Sequence, residues 1–241
     1  MKINLNPYIS VDCVIFGFDS SDLKVLLIER EKNNYNLKMK LPGDLIGDNE
    51  NLDEAAYRVL KELTGLDNVY LMQFYAFGSL DRTNNEQDLK WLIDTSKLSI
   101  KRVVTVAYFS LIKINENNII SSNADYNYKW YKINEIPKLA FDHNNIITKA
   151  LETLQIKLKT EPIGFELLPK KFTINQLQKL YEAILGKKLD NRNFRKKILK
   201  VPYIKKLKER QMGVAHKPAY YYKFDSLLYQ KIKKTDFGFT I

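Results

Sequence analysis

Leu41-Pro42-Gly43-Asp44-Leu45-Ile46-Gly47-Asp48-Asn49-Glu50-Asn51-Leu52-Asp53-Glu54-Ala55-Ala56-Tyr57-Arg58-Val59-Leu60-Lys61-Glu62-Leu63-Thr64-Gly65-Leu66 is the stretch that decides the fold. It opens as a tight loop at Leu41–Asp44 and continues as an amphipathic helix. Leu52, Ala55, Ala56, Val59, Leu60 and Leu63 recur at i, i+3, i+4, i+7, i+8 and i+11, one face of a helix with about 3.6 residues per turn. Gly65 stops the helix, since the residue past a helix end favours the left-handed backbone that glycine adopts freely. Glu54, Arg58 and Glu62 stand four residues apart and predict a stabilising charge ladder along the helix.

Around this helix the chain reads as strand-rich. Ile9–Phe18 and Lys24–Arg30 are apolar, β-branched runs split by the turn cluster Asp19-Ser20-Ser21-Asp22. Further strands are expected at Tyr70–Leu80, Val103–Ile112 and Tyr126–Lys132. The polar stretch Thr83–Lys101 predicts a short helix around Leu89–Ile93. A closing helix is expected from about Asn144 to Leu158. Strands with an interior and a closing helix predict an α+β domain, helices packed on a mixed sheet, over residues 1–160.

Pro162, Gly164 and Pro169 then punctuate the chain, and the pattern changes over 161–241. Thr173-Ile174-Asn175-Gln176 is a capping box. Leu177, Leu180, Tyr181, Ile184 and Leu185 form one apolar face, which Gly186 ends. Asp190 is a second candidate N-cap, for a helix over about Asn191–Lys200 that buries Phe194 and Ile198. Two strand-like runs follow, Tyr203–Lys208 and Ala219–Phe224, around the polar tip Glu209–Pro218. Helix, short turn, helix and hairpin make a winged helix-turn-helix.

Charge divides at the same place. Residues 1–169 hold 20 Lys+Arg against 23 Asp+Glu, whereas 170–241 hold 19 against 5. A weakly acidic body with a strongly basic end points to one domain that meets a polyanion. On the second helix, Arg192, Asn193, Arg195, Lys196, Lys197 and Lys200 suit a DNA groove: Arg pairs with guanine, Asn with adenine, and Lys with phosphate. Lys205, Lys206, Lys208, Arg210, His216 and Lys217 add cations on the wing, suited to backbone phosphates or the minor groove. Each of them alone reads more readily as a solvated surface cation; as a set they do not, because helix, turn, helix, hairpin and charge agree. Tyr220–Tyr222 alternate along a strand, which favours packing over base stacking. The chain has one cysteine, Cys13, so no disulfide or cysteine metal site is expected, and a reducing cytoplasm is the default. No apolar run is long enough to span a membrane.

Leu41–Leu66 resembles the Nudix signature: Gly, five residues, Glu, seven residues, then Arg-Glu-apolar-any-Glu-Glu-any-Gly-apolar. Glu50, Arg58, Leu60, Glu62, Gly65 and Leu66 match at the right spacing. Asp44 stands at the leading glycine, Val59 at the Glu after Arg, and Leu63 at the second Glu of the pair. The resemblance implies a Nudix fold and, in the family's enzymes, Mg²⁺-dependent hydrolysis of nucleoside diphosphate derivatives. Mg²⁺ wants anionic oxygens. The family supplies them at the positions held here by Val59 and Leu63, which offer none. Glu50, Arg58 and Glu62 survive as remnants, with Glu50 open to one metal contact from the loop. No catalytic residue, metal or cofactor is expected, unless Asp44, Glu86 or Asp88 compensates.

Phe165-Glu166-Leu167-Leu168-Pro169, Phe172-Thr173, Leu180–Gly186, Asn193–Leu199 and Gln73–Arg82 resemble the Nudix-related transcriptional regulators. That resemblance implies a Nudix-like effector domain followed by a winged helix on operator DNA, in a homodimer, responding to ADP-ribose or, in other branches, to a pentose such as arabinose. The apolar Val59/Leu63 face cannot neutralise a pyrophosphate through Mg²⁺, so a neutral or singly charged sugar is favoured over ADP-ribose. Asp12, Tyr75, Asp81 and Arg82 are candidate effector-lining residues, equally readable as core and turn residues. The expected function is a ligand-responsive repressor; an active Nudix hydrolase with a nucleic-acid-binding tail, or an RNA-binding module, are the alternatives.

Overall fold

Nine consecutive buried residues, Ser10–Phe18, explain the first unit. A strand covered on both faces is apolar without alternation, and such a strand belongs at the centre of a sheet. The computed structural model describes residues 4–29, 39–114, 127–215 and 217–235. Seven strands form its main sheet: β1 (Leu5–Phe18), β2 (Leu23–Glu29), β3 (Met39–Lys40), β4 (Gly43–Gly47), β5 (Met72–Phe77), β6 (Val104–Lys113) and β7 (Tyr128–Lys132). β6 runs parallel to β1 from Ile9↔Val104 to Phe18↔Lys113. β1 is long enough to hold two antiparallel neighbours besides: β4 at Ser10↔Leu45 and Asp12↔Gly43, then β2 at Phe16↔Val25 and Phe18↔Leu23. The sheet is thus mixed, with helices packed on it, as the strand and helix periods predict.

The decisive helix, α1 (Leu52–Thr64), carries Ala55, Ala56, Val59 and Leu60 into a core with Val11, Cys13, Ile15, Leu26 and Tyr108. Asn51 caps it: its side chain accepts the Glu54 N–H, while the Glu54 carboxylate accepts the Asn51 N–H. Gly65, at φ 71°, ends it in the left-handed region. Glu54 therefore serves the cap and takes no part in the expected ladder. Leu41–Asp44 is also more than a loop. Gly43–Gly47 finds its hydrogen-bond partners on β1, so the segment becomes a strand. The helix foreseen at Leu89–Ile93 is longer, α2 (Glu86–Ser96), with Asn85 accepting the Asp88 N–H at its start. Its Leu89, Leu92 and Ile93 pack on Leu45, Ile100 and Val103. The closing helix is α3 (His143–Thr160). Arg30 and Tyr126, expected at strand ends, lie outside the described residues.

The chain divides into two compact units: Met1–Asp19 with Leu23–Lys157, and Ser20–Asp22 with Leu158–Ile241. The second contains α4 (Ile174–Leu185), α5 (Asn191–Ile198), β8 (Ile204–Arg210), β9 (Tyr220–Phe224) and α6 (Ser226–Thr235). Thr173 and Gln176 form the capping box of α4, and Asp190 accepts the Asn193 N–H at the start of α5. Phe194 packs edge-on against Tyr181, 5.4 Å between ring centres. The hairpin gains a third member: Phe172 and Tyr222 exchange backbone hydrogen bonds of 3.0 and 2.7 Å. Phe165 stacks on Phe224 at 4.6 Å and lies 5.7 Å from Phe172. These rings pack with buried Leu167, Leu177, Leu180 and Ile184 to make the core of the unit. Phe172→Ala should cost it about 3–5 kcal/mol, seen by calorimetry as a lower melting temperature of the second unit; an unchanged transition would contradict this packing.

Candidate effector pocket and nucleic-acid interface

Asp12 lies in the centre of β1 and is buried. Its carboxylate gathers side chains from three distant segments. Arg82, on a single turn of 3-10 helix at Leu80–Thr83, approaches with Nη2 at 3.1 Å. His143, the first residue of α3, places Nε2 at 3.4 Å. The other ring nitrogen, Nδ1, accepts the Leu41 N–H at 2.9 Å, which puts the imidazole proton on Nε2, facing Asp12. Lys40 is also buried, donating to the Gly43 carbonyl at 2.7 Å with its ammonium 5.4 Å from the Trp91 ring centre. Burial alone would push the Asp12 carboxyl up; His143, Arg82, the Thr105 hydroxyl and Lys40 outweigh it and hold the group below its ordinary value. These side chains wall a cavity of about 40 Å³, closed further by Trp91 and Phe141. That is room for a water, far below the roughly 300–1,000 Å³ of a ligand site.

A second, open groove of about 490 Å³ lies between β5 and the start of α3. Tyr75 is half exposed on its wall, set edge-on against Phe77 at 4.9 Å, with the Lys149 ammonium 5.6 Å from its ring. Asp142 lines the groove and also meets Arg82 Nη1 at 3.1 Å. The four candidate lining residues therefore separate. Asp12 and Arg82 line the inner cavity and Tyr75 the outer groove. Asp81 lines neither: it is exposed and accepts a hydrogen bond from the Asn84 side chain. Lys40, Asp142 and His143 were missed because nothing local marks them. Only the presence of one of two histidines beside an aspartate, at Asp142-His143, hinted at them.

On α1 the surviving polar residues serve one another. Arg58 grips Glu50 with Nε at 2.8 Å and Nη2 at 2.6 Å, donates to the Leu45 carbonyl, and reaches Glu62 at 3.0 Å. Glu50 accepts the Gly47 N–H as well. The Arg58 hydrogen bond, with that of Gly47, holds the Glu50 carboxyl below its ordinary value. Glu50 is thus committed to pinning the loop before α1 rather than free for a metal. Val59 is fully buried and Leu63 packs on the same core. Asp44 accepts its neighbour's N–H and Asp88 accepts the Phe141 N–H. Among the described residues no cluster of three His, Cys, Asp or Glu is placed to hold a metal. At the positions of α1 where the Nudix signature carries Glu, Val59 and Leu63 offer Mg²⁺ no oxygen.

In the second unit, Phe194 and Ile198 are the buried residues of α5, leaving Arg192, Asn193, Arg195, Lys196, Lys197 and then Lys200 exposed. The turn before it is clamped: Glu182 accepts the Leu189 N–H at 2.9 Å, and Gln178 donates to Glu182 and to the Leu189 carbonyl. On the wing, Lys205, Lys206, Lys208, Arg210 and Lys217 are exposed; His216 lies outside the described residues. Tyr222 is buried, while Tyr220 lies under Lys206 and Arg210, 3.7 and 4.1 Å from its ring centre, and its hydroxyl accepts a hydrogen bond from Arg210. One helix face and one hairpin thus present exposed cations, Lys206 and Arg210 held over Tyr220, and the acid on the hairpin, Glu209, is paired with Lys171.

Comparison with known proteins matches the NUDIX domain family to residues 7–151 and the NrtR DNA-binding winged helix domain to residues 164–224. The chain belongs to the Nudix family. It carries the Nudix fold first and the NrtR-type winged helix second. A protein described as an ADPR responsive transcriptional repressor, from Acinetobacter baylyi, is 29% identical over 223 residues, covering 91% of this chain and 82% of that protein. The crystal structure of Shewanella oneidensis NrtR complexed with a 27mer DNA superposes with a TM-score of 0.66 and 26% identity, over 90% of this chain and 93% of that one. An ADP-ribose pyrophosphatase from Methanocaldococcus jannaschii is 26% identical over 146 residues, 61% of this chain and 74% of that protein.

Two consequences of the Nudix-unit geometry are measurable. Restoring a carboxylate by Val59→Glu would bury a charge without a partner and should lower stability by about 3 kcal/mol or more, against about 1 kcal/mol for Leu63→Glu; urea unfolding compares them, and equal losses would refute the assignment of Val59 to the core. The second concerns Asp12. Since its folded carboxyl lies below the unfolded value of about 3.9, its stabilisation is present above that value and is lost as pH falls through the folded one. Asp12→Asn should cost about 3–5 kcal/mol at pH 7 by leaving Arg82 and Lys40 short of a counter-charge. The gap to wild type should shrink below about pH 4; a gap constant down to pH 2 would exclude ion pairing as its cause.

Proposed function

We propose that this chain is an ADP-ribose-responsive transcriptional repressor that binds operator DNA through α5 and the wing and no longer hydrolyses its ligand. The observation that carries the reading is the exposed set Arg192, Asn193, Arg195, Lys196 and Lys197 on one face of α5, in a unit that matches the NrtR DNA-binding winged helix domain. It acts as a homodimer in the cytoplasm, where a two-fold pair of winged helices meets two half-sites about one helical turn, or a multiple of it, apart. No helix among the described residues is long and apolar enough to cross a membrane.

ADP-ribose replaces the pentose favoured from the sequence. A pyrophosphate without Mg²⁺ on α1 needs other cations. Arg82, which meets Asp142 on the wall of the groove, and Lys149 on that wall offer a metal-free alternative, and the Acinetobacter relative is described as responsive to ADPR. Loss of hydrolysis rests on the buried Val59, the apolar Leu63 and the engagement of Glu50 by Arg58. The resemblance to an ADP-ribose pyrophosphatase keeps the hydrolase reading testable.

A gel-shift titration with upstream DNA tests the function. Arg195→Ala should weaken specific binding by about 1–3 kcal/mol, and Lys197→Ala should reduce the slope of log affinity against log salt by about one. ADP-ribose should release the wild-type complex and survive incubation with Mg²⁺ or Mn²⁺. No preference over random duplex would sink the regulator; turnover of ADP-ribose would restore the enzyme.

A further inference from the structure

Arg82 is shared unequally by two carboxylates. Both lie 3.1 Å from it, but Asp12 is the better supported, since His143 and Lys40 act on it as well. Asp142 meets Arg82 Nη1 at 3.1 Å and, unlike Asp12, faces the open groove. Burial pushes its carboxyl above the ordinary value; Arg82 only partly offsets this, and the charge of Asp12 adds to the rise. A carboxylate in that position is costly to keep ionised. Arg82 itself is 6% exposed, and its Nε has no hydrogen-bond partner among the described residues. A buried guanidinium with an unfilled donor behind a weakly held acid is a site for a stronger anion.

The surroundings suit a nucleotide. The groove beside Asp142 is of ligand size, about 490 Å³. Tyr75 offers an exposed aromatic face, with Lys149 beside it. The backbone next to Asp142 is also under tension: Phe141 has φ 52°, a left-handed conformation that costs an aromatic residue of order 1 kcal/mol or more. Asp142 is the residue before α3, and its carbonyl accepts the Asn145 and Ile146 N–H groups of the first turn. A change at Asp142 is thus delivered to the start of the helix through which the chain passes into the second unit.

We propose that Arg82, which lies behind Asp142 at the groove wall, is an anion subsite reached from the groove, and that the Asp142 carboxylate is an internal stand-in which the phosphate of a nucleoside diphosphate displaces. The stand-in keeps the buried guanidinium neutralised until ligand arrives, and its release is the first step of the response. This rests on the reading of the Nudix unit as a sensor of ADP-ribose.

Calorimetric titration of the full chain with two probes, ADP-ribose and inorganic pyrophosphate, separates the two ideas. Asp142→Asn removes the competing charge while keeping the shape, and thermal unfolding of the variant checks that it folds. It should tighten binding about tenfold, the scale of one charge-assisted hydrogen bond. Arg82→Gln should weaken binding at least as much, and Arg82→Lys, which keeps the charge for Asp12, should weaken it too. A merely structural Asp142 would give the opposite sign, so binding unchanged or weaker in Asp142→Asn overturns the proposal. If ADP-ribose fails to bind but pyrophosphate shows the tightening, the effector reading falls and the subsite stands. Failure of both probes on wild type and Asp142→Asn alike overturns both.

Discussion

A carboxylate buried in the middle of a sheet must be met by positive or hydrogen-bonding groups on every side, and the first unit is arranged around that demand at Asp12. Arg82 comes from a turn after β5, His143 from the start of α3, and Lys40 from β3. Each reaches the same few ångströms, so the carboxylate ties three segments to the central strand. It also fixes the neighbouring sequence. A Cβ on residue 43 would lie 1.9 Å from Asp12 Oδ1, which is why β4 begins with Gly43. The Leu41-Pro42-Gly43 run is thereby explained by a neighbour thirty residues upstream.

The parts of this structure that were legible in the sequence are those built from local period and local chemistry. The face of α1, the capping box at Thr173–Gln176 and the pair Phe194/Ile198 all follow from spacing alone. What failed was whatever depends on a distant partner. Gly43–Gly47 has no strand-like alternation of its own and is a strand because β1 offers it a ladder. Glu54 is the local exception: it was open to two uses, and the reciprocal bond with Asn51, three residues away, outcompeted the helix-face ladder. Lys40, Asp142 and His143 come from separate segments, so no motif contains them. The preference for a sugar came from α1 alone, where Val59 and Leu63 offer a metal no oxygen, whereas the buried cations Arg82 and Lys40 lie on other segments.

In the second unit, polar groups do work that apolar area alone would not. Glu182 and Gln178, on α4, hold Leu189 on both its N–H and its carbonyl, and so set the angle at which α5 leaves the turn. The Leu189 N–H, with Gln178 and Lys188, keeps the Glu182 carboxyl below its ordinary value, so the clamp stays charged at neutral pH. Tyr220 does the same for the wing, gathering Lys206 and Arg210 over one ring. Long cationic side chains lose much freedom on binding a polyanion, and a ring that already orders them reduces that loss.

Cys13 is the one thiol of the chain. It sits on β1 with no exposed surface, directs its sulfur at the Ala56 carbonyl, and is pushed well above the ordinary thiol range by burial and by Asp12 beside it. Thiolate is the reactive form, so this sulfur is inert to alkylating agents and oxidants in the folded protein. A cysteine introduced on the face of α5 or on the wall of the groove would then be the sole labelling site. The protein is in effect supplied with a silent background for attaching fluorophores or spin probes, and its movements can be followed without first removing anything.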